Sequence, residues 1–468
     1  MNTPPKIKRG TELDLVIESL AFGGQGVAHH DGKVVFVRFA IPGQTVRAKV
    51  MRVKSGYIEA VRQEVLVESP FAVKPECSHS RYCGGCTLQN LEYSQQLLAK
   101  EQQVQDVFER LGGLEIPELR PILGCADIWR YRNKMEFTFS TYPWRVDKNE
   151  KDELPFGLGL HIPGRFDRIL DITNCHLQQE VANDLLNTIR TYALDWGLPA
   201  YDVHNHTGFL RNVIIRISRA TGEIMVNLVT SRLEPDKLTP LCDILQDITP
   251  DLTSVVNNVT NRKAGVAVGE KEVLLYGRDH IVERLGEFEF EISANSFFQT
   301  NSAQAELLYE HINSAANLTG EEVVFDLYCG TGSIGIYLSG QAKSVYGFEL
   351  IPSAVEDARR NAQRNNLERV QFFTGDLMTL LRSEYELKNL PAPDVIVIDP
   401  PRAGMHPNTV SDILELSPAR IIYVSCNPGT QARDIQLLCA ESYRLIHLQP
   451  VDMFPHTPHV ENIAVLTK

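Results

Sequence analysis

The sequence predicts a multidomain α/β protein. It should hold an N-terminal β-barrel of the OB type, an α+β central domain with a cysteine cluster, and a C-terminal Rossmann-like domain. Three observations carry this reading. The first sixty residues alternate polar and apolar positions in short runs broken by glycine turns. Cys77, Cys83 and Cys86 fall within ten residues of one another. From about residue 286 the pattern turns to strand–helix–strand, with a glycine-rich loop after an apolar strand. The expected boundaries are 1–68, 69–285 and 286–468.

At 468 residues and 43% hydrophobic content, the chain can build more than one core. No apolar run approaches the ~18 residues that span a membrane. The first residues, Met-Asn-Thr-Pro-Pro-Lys, have no apolar signal segment. A cytoplasmic protein with no membrane partner is expected. Nine cysteines, an odd number, suit reduced thiols, metal ligation or catalysis better than a disulfide framework. The net charge of −13 argues mildly against a nucleic-acid partner, but the charge is uneven. Residues 1–60 carry +4 and the remainder −17, so one basic module could still grip RNA.

In that module, strands are expected at 12–20, 33–38, 46–53 and 57–61, with a glycine-rich turn over 22–27 and the Asp31-Gly32 turn signal. Arg47, Lys49 and Arg52 are outward candidates. Small barrels of this type are common nucleic-acid platforms, although the same fold can serve only as a cap.

After the linker Ser69–Pro75 comes Cys77-x₅-Cys83-Gly-Gly-Cys86. Its glycines allow the backbone to wrap closely around a metal or cluster. A fourth ligand is needed, and spacing cannot choose between Cys125 and Cys175. Four thiolates suit either zinc or a [4Fe–4S] cluster. Residues 95–111 read as a helix with Ser94 as N-cap, apolar at Leu97, Leu98, Val104, Val107, Phe108 and Leu111, and ended by Gly112-Gly113. It should pack against one of the larger domains. Arg130-Tyr-Arg-Asn-Lys134 precedes a strand. Such a run can contact RNA or be a solvated strand edge. Residues 155–285 read mostly as strands, with a helix over 180–193.

The C-terminal third holds the chemistry. Asp326-Leu-Tyr328-Cys-Gly330-Thr-Gly332-Ser333 ends an apolar strand, and Glu349 closes the next strand 23 residues later. Loop and acid alone indicate a nucleoside cofactor, NAD included. Asp376 follows a third strand. Asp399-Pro400-Pro401-Arg402 and Cys426-Asn-Pro-Gly each follow a further strand. A lone cysteine is usually a buried structural thiol. A thiol at a strand's carboxyl end beside a cofactor loop is placed for nucleophilic work, and a dehydrogenase has no use for it.

These motifs, with the tail Val451-Asp-Met-Phe-Pro-His-Thr-Pro-His-Val-Glu461-Asn, resemble the RNA uracil-C5 methyltransferase family over nearly the whole chain. The N-terminal segment resembles a TRAM domain, which implies RNA binding. The resemblance implies S-adenosylmethionine as cofactor, held by Gln299, Tyr328, Gly330, Gly332, Ser333, Glu349, Asp376 and Asp399. Ser333 departs from the asparagine of well-known members. Cys426 is implied as the nucleophile toward uracil C6 and Glu461 as the base toward C5. Cys77, Cys83, Cys86 and Cys175 are implied as ligands of a [4Fe–4S] cluster. A C-x₃-C-x₂-C radical motif is absent, so the cluster would be structural or would position RNA. The resemblance implies a monomeric enzyme making 5-methyluridine in 23S rRNA, because shorter tRNA members of the family lack barrel and cluster. Alternatives are a tRNA enzyme, an enzyme of two rRNA sites, an amino-group methyltransferase suggested by Asp-Pro-Pro, and a non-catalytic RNA-binding iron–sulfur protein.

Overall fold

The computed structural model describes residues 7–146, 154–263, 269–377 and 390–468. Lys6, counted above in the basic module, lies outside them.

The barrel closes because one stretch serves both of its edges. Glu12–Val16 pairs antiparallel with Thr45–Val53, and Ser19–Leu20, just beyond it, pairs with Gly26–His30. Between them Glu18 N donates to Val27 O at 2.8 Å. The six strands enclose Leu15, Val35, Val37, Val46, Val50 and Ile58. Two expectations change. The glycine-rich turn ends two residues early, since Gly26–His30 is a strand, and the last strand runs through Val67. Lys49 and Arg52 are exposed, while Arg47 is held by Asp14 (3.0 Å) and Glu64 (3.3 Å).

The central domain is an eight-stranded mixed sheet. Lys134–Ser140 and Leu210–Ile217 lie near its middle, and Glu180–Asp195 packs with a second helix, Thr239–Ile248. That second helix was missed in a region read as strands. Its short amphipathic pattern buries Leu241, Cys242 and Leu245. The expected boundary at 285/286 falls in the turn of a hairpin, His280–Leu285 and Phe288–Ser293, whose strands both join the C-terminal core.

The C-terminal sheet runs, edge to edge, Val370–Thr374, Ser344–Glu349, Val323–Leu327, Val395–Ile398, Arg420–Ser425, Glu461–Thr467, Arg444–Val451. Only Glu461–Thr467 runs antiparallel to the rest. The strand order reverses between Val323–Leu327 and Val395–Ile398. Ligands of open α/β sheets collect at such a switch point, outside the carboxyl ends of the strands.

The helix expected at 95–111 is α-helical over Tyr93–Asp106 and continues as a wider turn over Val107–Leu111. Ser94 lies inside its first turn and caps nothing; the N-cap is Glu92. Leu98 and Leu111 are exposed, and the buried face carries Gln96, Lys100 and Gln103 alongside Val104 and Phe108. This face docks on the C-terminal domain, where Val104 and Phe108 share a core with Tyr423 and Leu438. Lys100 Nζ donates to Asp452 Oδ1 at 2.6 Å with both side chains fully buried. An ion pair so enclosed is destabilising unless its remaining valences are filled. Here Tyr93 OH and Phe454 N also donate to Asp452, and Lys100 donates to Phe454 O. The pair pins the tail segment that leads to Glu461. No helix among the described residues is long and apolar enough to cross a membrane.

Candidate active site

Four carboxyl groups and one thiol gather at the strand ends around the switch point. Asp326 is the penultimate residue of the strand Val323–Leu327 and is fully buried. Gly335 N donates to its Oδ2 at 2.9 Å, and its Oδ1 has no partner. Burial pushes its carboxyl up to about 8, with Asp399 and Glu349 adding repulsion. Burial likewise lifts Asp399 to about 7 and Glu461 well above the carboxylate range, with Asp399 again contributing to the latter. Crowding carboxyls away from water is costly because each disfavours its neighbour's ionisation. A cation placed among them would relieve that cost.

The glycine-rich loop wraps past this nest. Gly330 and Gly332 take positive φ (55° and 78°). A Cβ on Gly332 would lie 2.5 Å from Phe372 Cζ, so the loop needs glycine there. Tyr328 also has positive φ (62°), a strained setting for a bulky residue and one that recurs at binding sites. Its phenol lies within electrostatic reach of Asp376. Glu349 accepts Gly330 N (3.1 Å) and Ile351 N (2.9 Å), which fixes the acid against the loop. Gln299 follows a segment that touches the loop, since Thr331 Oγ1 donates to Phe297 O at 3.3 Å. The Ser333 hydroxyl is 2.8 Å from that of Tyr309, a buried residue near Asp326, Asp399 and Glu461. Ser333 thus ties the loop to the helix Ser302–Ala316. The glycine loop, Glu349 and Ser333 are thus joined along one rim, with Asp399 near Asp326, and the orphaned Asp326 Oδ1 and the glycine cradle fit a cationic nucleoside.

Cys426 lies just past Arg420–Ser425 and is half-buried. Asn427 N-caps the helix Pro428–Glu441, accepting from Gly429 N at 3.1 Å with Pro428 in the first turn. Asn427 Nδ2 also donates to Arg402 O at 2.9 Å, which locks the Asp399–Arg402 loop to the thiol. The Arg402 side chain hydrogen-bonds the Cys426 thiol. Burial, Glu461 and Asp399 push the thiol up, and Arg402 alone pulls it down. Arg402 Nη2 is 3.4 Å from His459 Nδ1, and burial beside Arg402 holds His459 near 4, hence neutral. Arg402 and His459 were both visible in motifs, but their role depends on contacts that only the fold makes. Arg132, from the basic run, reaches the same rim and stacks over Phe454 at 5.8 Å.

The four cysteines of the central domain also come together. Cys83 and Cys86 both feel Cys77 and Cys175, whereas Cys125 sits elsewhere, against Asn301 and Asp127. Burial lifts Cys83 to about 11 and Cys86 to about 12. Gly85 N donates to Cys83 Sγ at 3.3 Å. A Cβ on Gly84 would lie 2.6 Å from His161 O, so the loop requires glycine for its close approach. Among the described residues, no three His, Cys, Asp or Glu side chains are arranged to hold one metal ion.

A sheet of this order, with acids and a glycine loop at the switch point, suits a nucleoside cofactor, and the comparisons make the class an S-adenosylmethionine-dependent methyltransferase. Residues 258–468 match the tRNA (uracil-5-)-methyltransferase family and residues 6–61 the TRAM domain. An uncharacterized RNA methyltransferase of Chlorobaculum tepidum is 43% identical, covering 90% of this chain and 89% of its own. One from Porphyromonas gingivalis is also 43% identical, covering 97% and 99%. The crystal structure of the Pyrococcus abyssi tRNA (uracil-54, C5)-methyltransferase with S-adenosyl-L-homocysteine is 30% identical, with TM-score 0.74, 97% coverage of this chain and 100% of that one. The chain belongs to the tRNA (uracil-5-)-methyltransferase family.

Proposed function

We propose that this protein methylates C5 of a uridine in RNA through a covalent enzyme–base adduct. The observation that carries the reading is the Cys426 thiol, hydrogen-bonded by Arg402 and facing the Glu461 carboxyl beside the cofactor rim. Gln299, Tyr328, Gly330, Gly332, Ser333, Glu349, Asp376 and Asp399 line the cofactor side. S-adenosylmethionine bound there supplies an electrophilic methyl group.

Uracil C5 is a poor nucleophile until C6 is attacked. Cys426 releases its proton to solvent, with Arg402 stabilising the thiolate, and its sulfur bonds C6. The displaced electron pair passes into the C5–C4–O4 enolate, so that C5 can take the methyl as the methyl–sulfur bond breaks and S-adenosylhomocysteine is left. Glu461 then accepts the C5 proton, the C5=C6 bond re-forms and the C6–S bond breaks, which returns the thiolate. A carboxyl held high by burial is a strong base once ionised, which suits Glu461 to this step. A uridine inside folded RNA must first leave its stack.

The reading extends to Cys77, Cys83, Cys86 and Cys175 as ligands of a [4Fe–4S] cluster with a structural role. A cluster offers each thiolate its own iron, so its ligands need not converge on one point. Iron and sulfide analysis after anaerobic purification tests this; a colourless protein with stoichiometric zinc would refute it.

The preferred substrate is 23S rRNA. A tRNA substrate is the second reading. The tRNA enzyme from P. abyssi aligns over nearly this whole chain, barrel included, so architecture of this extent does not by itself exclude tRNA. Incubation with methyl-labelled S-adenosylmethionine and, separately, unmodified 23S rRNA, 16S rRNA and tRNA decides. Label in 5-methyluridine from 23S rRNA is expected. Label in tRNA alone would keep the chemistry and change the substrate. No label in any RNA, with cofactor binding intact, would overturn the proposal.

A further inference from the structure

The end of the C-terminal sheet remote from Cys426 carries a cavity of about 360 Å³. Arg120, His311, Arg420 and His447 line it. Arg420 opens the strand Arg420–Ser425, so the cavity lies about 17 Å along that strand from the end that bears the thiol. We propose that this cavity is a binding site for a phosphate dianion, free or as a phosphomonoester, held by Arg120, Arg420, His311 and His447. None of the four takes part in the chemistry above, and the inference stands apart from the RNA reading.

A break in strand register puts His447 there. In the strand Arg444–Val451, Leu445 pairs with Leu466 and His447 with Val465, so Ile446 is an extra residue. In an unbroken strand, residue 447 would face the same side as Leu445, whose core also holds Leu448. The bulge instead brings His447 to the side of Val465, which lines the cavity. Bulges that re-aim a side chain recur beside functional sites. His447 is 7% exposed, and its Nδ1 has no hydrogen-bond partner among the described residues. A buried ring nitrogen left unpaired costs free energy that a ligand oxygen would recover. Arg120 N donates to Leu448 O at 3.0 Å, which sets Arg120 beside His447.

The basic groups repel one another around this space. Burial holds His447 and His311 below the usual imidazole range; Arg120, Arg420 and His311 add to the effect on His447, and Arg120 to that on His311. An anion among them would turn each repulsion into an attraction. Glu118 and Glu310 oppose these effects, but both are exposed and neither lines the cavity. Glu118 holds Arg120 at 3.1 Å in contact with water, where an ion pair is weak. The helix Ser302–Ala316 ends at the cavity with Asn317 as its left-handed cap. Its last carbonyls would repel an anion, and Arg420 Nη1 covers one of them, Ala315 O, at 2.6 Å. Two guanidiniums with permanent charge, and two imidazoles that become donors on protonation, match a doubly charged phosphomonoester. A singly charged backbone phosphodiester would leave part of that charge unmet.

The test is calorimetric titration of the full-length protein, in chloride buffer, with inorganic phosphate, ribose 5-phosphate and dimethyl phosphate. Inorganic phosphate should bind with a Kd below about 1 mM. Dimethyl phosphate, with one charge, should bind at least about tenfold more weakly. Ribose 5-phosphate binding more tightly than phosphate would mark a phosphomonoester as the ligand, and weaker binding would mark free phosphate; both support the site. Arg120→Gln and His447→Gln should each weaken phosphate binding about tenfold and leave kcat for methylation within about twofold. His447 is buried, so circular dichroism and S-adenosylhomocysteine affinity check that its variant folds. Arg120 is partly exposed, and its variant decides alone if the other does not fold. Unchanged phosphate affinity in Arg120→Gln, or no phosphate binding to the wild type, would overturn the proposal. So would equal affinity for dimethyl phosphate, which would assign the cavity to a nucleic-acid backbone.

Discussion

The protein keeps cysteine thiols in two kinds of place, and the comparison explains what each can do. Cys426 sits half-open at a strand end, with a guanidinium on one side and carboxyls on the other. Cys86 is buried and Cys83 half-buried in a knot where burial and neighbouring thiols raise both, opposed by hydrogen bonds from Gly85 and Gln89. Burial alone makes a thiol inert. What separates the two is a single hydrogen-bonding cation, together with an approach for substrate. The knot's thiols are held up by burial and by one another, whereas Cys426 has a cation beside it.

The sharpest way to break this contrast is to remove the thiol. Cys426→Ala should abolish methylation, a loss on the order of 10⁴-fold or more, while leaving S-adenosylhomocysteine affinity unchanged by calorimetry. Residual activity near wild type would instead favour an amino-group acceptor, whose chemistry needs no thiol. Cys175→Ser should leave the Cys426 pocket intact but strip iron and visible absorbance from the purified protein. Retained iron at the wild-type ratio would remove Cys175 from the ligand set. Arg402→Met tests the cation itself. Loss of a hydrogen bond to a charged group should slow iodoacetamide alkylation of Cys426 about tenfold near pH 8 and leave the knot's reactivity unchanged. An unaltered rate would mean that Arg402 does not set the thiol's ionisation.

The smallest expected effect concerns the carboxyl nest. Asp326 at about 8 and Asp399 at about 7 stand above their ordinary values. The folded protein therefore holds protons that the unfolded chain has released. Their contribution to stability is fully present below about pH 4 and is lost as pH rises through the folded values. The urea midpoint of the cofactor-free protein should fall between about pH 5 and pH 8.5, and Asp326→Asn with Asp399→Asn should reduce that fall. A double variant with the wild-type slope would show that these groups are not the source.

The same contrast separates what could be read from sequence and what could not. Strand ends announce themselves, because an apolar run followed by acid, glycine or cysteine is local information. Cys426, Asp399, Glu349 and the loop over 326–333 all belong to that kind, and the fold places them around one switch point. The docking of the helix Tyr93–Asp106 was not legible. Its buried face carries Gln96, Lys100 and Gln103, which look solvated until Asp452, far away in sequence, supplies the partner. Arg402 stood in view beside Asp399, yet only the loop-to-loop bond from Asn427 turns its side chain into the thiol's partner. Spacing alone could not choose Cys175 over Cys125, whereas the packing of the central sheet separates them.

The central claim is that Cys426 bonds the base and Glu461 releases it. The most direct measurement uses Glu461→Gln with RNA and S-adenosylmethionine, followed by nuclease and protease digestion and mass spectrometry. The account predicts that the peptide containing Cys426 carries a methylated uridine nucleotide that wild-type enzyme does not accumulate, with turnover down by about 10²-fold or more. An unmodified Cys426 peptide together with free 5-methyluridine formed at the wild-type rate would contradict it.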